Sequence, residues 1–161
     1  MLGAVIGDIV GSVYEWNNVK TKDFGPLFHG KAFYTDDTIC TMAVAEALAT
    51  GRHAGEALKD WGRRYYDNGG WGGMFSRWLL QDSLAPYDSF GNGAAMRVSP
   101  AGLLAGSADE ALTLAKSVTE VTHNHPEGIK GAQATALAIF LARQGATVHD
   151  IKRAITERFA Y

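Results

Sequence analysis

Two adjacent aspartates, Asp36 and Asp37, stand between Thr35 and Thr38. Neighbouring carboxylates repel, and a cation relieves the repulsion. Two Asp side chains plus a Thr hydroxyl offer hard oxygen donors of the kind that suit Mg²⁺, Mn²⁺ or Ca²⁺. The same residues also make an ordinary helix start, with Thr35 as N-cap and two acids in the first turn. Both readings stand on these residues alone. A second acidic set precedes them. Asp8, Ser12 and Glu15 fall at i, i+4 and i+7, so a helix shows all three on one face. Asp8 follows an apolar run and is costly to bury unpaired, so it either caps a neighbouring element or joins a site. Glu15 is either solvated or a metal-shell group or general base.

Further along lies Gly91-Asn92-Gly93-Ala94-Ala95-Met96-Arg97. A Gly-Asn-Gly turn reaches positive φ easily and can gather successive N–H groups into one concavity, which suits phosphate. It also reads as a plain turn between helices. His123 and His125 are spaced i, i+2, with no third soft ligand close by, so a zinc site is incomplete. Hydrogen bonding to a polar or anionic ligand fits them better, beside the alternative of two solvated loop histidines. Trp61, Tyr65, Tyr66, Trp71, Phe75 and Trp78 mostly keep helical spacing and read as core. Met42 and Met96 read as packing residues.

These residues need helices to place them. Leu2, Ile6, Val10 and Val13 predict a helix over 2–16, with Gly3, Gly7 and Gly11 forming a bare stripe that would admit another backbone. Residues 17–34 lack a period and read as loop. Further helices are predicted over 35–50, 54–67, 72–81, 108–121, 127–144 and 147–159. Residues 84–93 read as loop, and 94–105 as a short apolar stretch interrupted by Ser99-Pro100. No strand alternation occurs. The expected class is all-α, and at 161 residues a single domain over 1–161.

Composition narrows the function classes. Fifteen Lys and Arg against 17 Asp and Glu give a net charge of −2 without any basic block. That excludes a general nucleic-acid or anionic-membrane binder, which needs a basic face. The lone Cys40 excludes an intramolecular disulfide framework and a four-cysteine zinc site. The apolar start carries Asp8, has no basic flank, and is far shorter than the roughly 20 residues of a membrane span. The expected compartment is the cytoplasm.

Taken in order, the motifs Gly3-Ala4-x-x-Gly7-Asp8-x-x-Gly11-Ser12-x-x-Glu15, Thr35-Asp36-Asp37-Thr38, Gly91-Asn92-Gly93-Ala94-Ala95-Met96-Arg97 and Thr122-His123 resemble those of the ADP-ribosylglycohydrolases. The likeness is greatest to the compact bacterial members, relatives of the dinitrogenase reductase-activating glycohydrolase. Trp71-Gly72-Gly73 and Arg77-Trp78-Leu79 add to it. The resemblance implies a compact orthogonal helical bundle, two Mg²⁺ or Mn²⁺ ions, and hydrolysis of the glycosidic bond joining ADP-ribose to a protein side chain or small molecule. It implies Thr35, Asp36 and Asp37 as metal ligands and Glu15 as the catalytic group. Gly91, Asn92, Gly93, Ala94, Met96 and His123 would contact the substrate, ADP-ribose or an ADP-ribosylated protein.

The family pattern also includes a later Gly-Asp-x-Asp-Thr motif with the remaining ligands. After Thr122 this sequence holds one Asp, Asp150. The expectation is a C-terminally truncated domain with a half-built metal site, either an incomplete enzyme or a module that binds ADP-ribose without turnover. The final helix would expose Ile151, Ile155 and Phe159 unless earlier residues cover them, and so could pair with a second copy.

Overall fold

The computed structural model describes the whole chain, Met1–Tyr161. It is all-α. The helices are α1 (Leu2–Gly11), α2 (Asp36–Thr50), α3 (Ala54–Arg64), α4 (Gly73–Leu80), α5 (Ser99–Leu104), α6 (Ala108–Thr119), α7 (Pro126–Arg143) and α8 (Val148–Phe159). Short 3-10 turns cover Ser12–Tyr14, Tyr66–Asn68 and Asn92–Ala94. No helix is long and apolar enough to cross a membrane.

The alanine content sets how closely the helices pack. α7 packs on α6, α5 and α8, while α2 packs on α3, α1 and α5. Their shared core holds Ala43, Ala47, Ala57, Ala101, Ala115, Ala132 and Ala136, filled out by Val44, Leu58, Trp78 and Leu79. Small side chains let helix axes approach, and Gly102 lets α5 lie directly against α7. A Cβ on Gly102 would be driven into the Ala136 carbonyl oxygen. Helix ends are closed by specific groups. Gly51 ends α2 at φ +73°. The carbonyls at the end of α4 accept from two basic residues of α3. Buried Lys59 donates to Trp78 O and Gln81 O, and Arg63 Nε donates to Leu79 O at 2.7 Å.

The start of α2 is closed from another helix. Asp8, on α1, accepts four hydrogen bonds there: from Thr35 N at 2.8 Å, Thr35 Oγ1 at 2.6 Å, Thr38 N at 3.2 Å and Thr38 Oγ1 at 2.5 Å. Thr35 is the local N-cap as well, accepting from Asp37 N at 3.4 Å. Asp8 is therefore a cap for a neighbouring element, and it fixes how α1 sits on α2.

Several sequence expectations are corrected. The first helix does not run to residue 16. Ser12 Oγ donates to Ile9 O and accepts from Phe33 N, so its side chain competes with the helical pattern, and a 3-10 turn follows Gly11. The Gly3, Gly7 and Gly11 stripe receives no other backbone, because an added Cβ at each would meet open space. No residue of α1 is buried, and Leu2 is 79% exposed. Ser99-Pro100 does not interrupt a segment but begins α5, since proline suits a first turn. The apolar face of α8 is not left open. Phe159 is buried with Leu112, Ala134 and Leu137, and Ile155 packs beside them. Ile151 is half-buried. The chain covers this face itself, which removes the premise for pairing through it.

Two stability outcomes follow. Asp8→Ala should lower unfolding free energy by about 2 kcal/mol, between the usual worth of a cap and that of charge-assisted hydrogen bonds. Gly102→Ala should cost about 1–3 kcal/mol through overpacking. Denaturant titration of each variant checks both.

Candidate functional site

One cleft of about 380 Å³ gathers residues from four parts of the chain. Glu15 comes from the end of the turn after α1, and Asp36 and Asp37 from the first turn of α2. Gly70, Gly72, Gly73, Met74 and Phe75 come from the approach to α4, and Tyr87, Ser89, Gly91, Asn92, Gly93, Met96, Arg97 and His123 from the segments around α5 and α7. Thr35 lies behind this cleft, buried, and borders an adjoining hollow with Asp8 and Glu15. Ala94 is buried and does not line the cleft.

The acidic wall owes its arrangement to the Asp8 cap. With Thr35 and Thr38 tied to α1, the next two carboxylates emerge toward the turn that carries Glu15. A Cβ on Gly70 would stand 3.7 Å from Asp36 Oδ1 and 3.8 Å from Glu15 Oε1, so both oxygens face the same bare backbone. Crowding raises their proton affinity. Burial, then Asp36 and Asp8, push the Asp37 carboxyl up to about 6. Burial raises Asp36, with Glu15 and Asp8 adding to it. Burial followed by the Asp37 and Asp8 charges raises Glu15. The donor chemistry suits a hard divalent cation. Yet no three acidic, histidine or cysteine side chains converge closely enough to enclose one. These residues fit one side of a coordination shell.

The opposite wall is built differently. Gly91 N donates to Ser89 Oγ at 3.2 Å, and the amides of Ala94, Ala95 and Met96 bond back into the turn. The Asn92 and Gly93 amides are left without a partner in the chain. His123 lies beside this turn and is buried; a Cβ on Gly93 would sit 2.9 Å from its Nε2 and Cε1. A side chain at Gly93 would push the ring from this position. Burial, with the Arg97 charge second, pushes the His123 imidazole down to about 3, so the ring is neutral. His125 takes another role. Its Nδ1 accepts from Glu127 N at 3.1 Å and caps α7. The two histidines thus do not form a pair.

A line of rings joins the walls. Tyr66, Trp71, Phe75, Trp78, Tyr87 and His123 follow one another with centroid separations of 5.5 to 6.4 Å. Phe75 and Trp78 are buried and Trp61, Tyr65, Tyr66 and Trp71 are half-buried, so these aromatics serve packing, with Phe75 also reaching the cleft. Sequence reasoning missed Tyr87 and Ser89. The segment 84–93 carried only turn signals. It is pinned through contacts distant in sequence: Tyr87 N donates to Thr122 O at 3.3 Å, and Asp88 N to Asn124 Oδ1 at 2.8 Å. Gly128 admits it, since a Cβ there would stand 2.9 Å from Ser89 O. Gly70, which also lines the cleft, was missed too. Arg97 and Thr122 stood within the motifs without a role. They are fully buried beneath the cleft.

Comparison with known proteins gives the same family as the motifs. The family model described as ADP-ribosylglycohydrolase matches residues 1–161. Among curated relatives, ADP-ribosylhydrolase ARH3 of Mus musculus is 31% identical over 180 aligned positions, covering 90% of this chain and 48% of the relative. The proteins of the same name from Homo sapiens and Gallus gallus are 29% and 28% identical, each again with 90% of this chain and 49% of the relative covered. The chain spans about half the length of the curated relatives it matches. With a match along its whole length, and with Glu15, Asp36, Asp37, the Gly91–Gly93 turn and His123 facing one cleft, the chain belongs to the ADP-ribosylglycohydrolase family.

Proposed function

We propose that this chain supplies the ADP-ribose-binding cleft of a metal-dependent hydrolase that cleaves the glycosidic bond between ADP-ribose and a protein side chain or small molecule. One observation carries the reading: Glu15, Asp36, Asp37, the Gly91–Gly93 turn, Met96 and His123 line the same cleft, with an acidic wall facing a wall of hydrogen-bond donors. Neutral His123 and the partnerless Asn92 and Gly93 amides suit phosphate oxygens. Glu15, its proton affinity raised by burial and then by its acidic neighbours, suits a general base that takes a proton from water as that water adds at the anomeric carbon and the acceptor group leaves. Thr35, Asp36 and Asp37 would hold Mg²⁺ or Mn²⁺, which when bound supplies positive charge to orient ribose hydroxyls. Glu15 would stand beside that shell.

A second reading is binding of ADP-ribose without turnover. It is favoured by the incomplete convergence of the acidic ligands. Release of free ADP-ribose from ADP-ribosylated arginine and serine substrates, with Mg²⁺ or Mn²⁺ and with chelator, separates the two. Hydrolysis requires metal-dependent release. Binding with no release under any condition selects the second reading, and neither release nor binding overturns both. Outer-shell changes alone cost metal sites about 10–100-fold, so Asp36→Asn with Asp37→Asn should remove at least about 100-fold of any metal-dependent activity or binding.

The acid wall also predicts a pH signature. Asp37 keeps its proton to about 6 in the folded chain, whereas an unfolded Asp releases it near 3.8. Between those values the folded state binds the extra proton. The contribution to stability is therefore full at low pH and is lost as pH rises through about 6. A divalent cation counters that loss only where the carboxylates are ionised. Mg²⁺ or Mn²⁺ should raise the melting temperature at about pH 7.5 and do little at about pH 5, where Asp37 is still protonated. Asp37→Asn should flatten both the pH slope and the metal response in a thermal melt.

A further inference from the structure

Beneath the cleft sits a charge with no counter-ion. Arg97 is 0% exposed and makes no salt bridge, and its Nε and Nη1 have no hydrogen-bond partner. The adjacent thiol does not neutralise it, because burial pushes Cys40 up to about 12. The phenol of Tyr87 does not either, burial holding it up to about 12. Arg97 Nη2 is the engaged nitrogen. It donates to Thr122 Oγ1 at 2.6 Å and to Val118 O at 3.3 Å. Thr122 Oγ1 in turn lies 2.8 Å from His123 Nδ1.

The proton inventory gives this line a direction. A guanidinium can only donate, so Thr122 Oγ1 must accept from Arg97. The hydroxyl has one proton of its own and is fully buried; the Tyr87 phenol is also a neighbour, but His123 Nδ1, at 2.8 Å, is its hydrogen-bond partner besides Arg97. Were Nδ1 to carry the ring proton, two donors would point at Thr122 Oγ1, and its own proton would lack this acceptor in a buried place. The satisfied arrangement runs from Nη2–H to Oγ1 and from Oγ1–H to Nδ1. In a neutral ring the remaining proton then sits on Nε2. That nitrogen has no partner in the chain and lies on the side of Gly91 and Gly93. It is not among the enclosed polar atoms left unpaired, and His123 lines the cleft.

We infer that Arg97 and Thr122 are positioning residues that lock His123 as its Nε2–H tautomer and so present a fixed hydrogen-bond donor to the cleft. What it meets there must be an acceptor atom. The uncompensated Arg97 charge below favours an anionic oxygen over a neutral hydroxyl. The identity of that ligand as ADP-ribose rests on the function proposed above; the tautomer lock does not.

Nitrogen-15 spectra of the imidazole in the full chain, recorded from about pH 5 to 8, read the lock directly. The expected pattern is a pyrrole-type Nε2 and a pyridine-type Nδ1 throughout. A pyrrole-type Nδ1, or a mixed ring, in the unmodified protein overturns the inference. Thr122→Val should give tautomer exchange and weaken ADP-ribose about tenfold, the worth of one hydrogen bond. Thr122→Ser should restore the Nε2–H pattern and the affinity. A ring unchanged by Thr122→Val also overturns the inference. Should Thr122→Val not fold, the unmodified protein and Thr122→Ser still decide the matter. ADP-ribose should move the Nε2 resonance and ribose alone should not. If the tautomer is as expected but ADP-ribose leaves the ring untouched, the proposed function fails while the lock stands.

Discussion

The carboxylate of Asp8 is the contact on which the arrangement of the cleft depends. It reaches from α1 to the start of α2 and accepts four hydrogen bonds from Thr35 and Thr38. One group thereby closes a helix terminus, satisfies two hydroxyls and sets the position of α1. Because Asp36 and Asp37 lie between the two threonines, the geometry of the cap is also the geometry of the acidic wall. Because Glu15 follows α1, its distance from that wall is set by the same contact. An acid that lines no part of the main cleft thus decides where the three that do line it can stand.

The two walls work on opposite electrostatic terms. On one side, burial first and neighbouring carboxylates second make acids hold protons more tightly than usual, as Asp37 shows at about 6. On the other, a buried guanidinium without a counter-ion depresses His123 to about 3 after burial has done the larger part. A cation relieves the first strain and an anion the second. The ligand of the function proposed above, with its phosphates and a ribose held by a divalent ion, would meet both needs in one molecule. That complementarity is a property of the residues themselves, independent of the family to which they belong.

Much of this was legible in the sequence wherever the cause was local. The 3.6-residue period in 108–121 and 147–159 found α6 and α8 to within a residue or two, and Thr35 before two acids announced α2. Tertiary contacts were not legible. Nothing in the run around Asp8 says that its partners lie 27 and 30 residues on. The Gly3, Gly7 and Gly11 stripe suggested a close backbone, yet spacing cannot tell a contact face from an open one. His123 and His125 look alike two residues apart. The end of α6 turns one under the cleft, while the start of α7 uses the other as a cap. Arg97 was visible as a letter in a motif. Its isolation from any carboxylate became visible only once the chain was folded.

The two walls differ in how they are anchored. His123, Arg97 and the glycine turn lie in the connections between helices that share the main core, whereas α1 buries none of its residues fully and is tied to the start of α2 by the Asp8 clasp. Local opening starts where few apolar contacts must be broken. Loss of that clasp would therefore act on the side of the cleft that carries Glu15 before it acted on the donor wall. The two sides of the cleft are thus held by different means: His123 and the glycine turn by the core beneath them, and Glu15 by way of a carboxylate that lines no part of the main cleft.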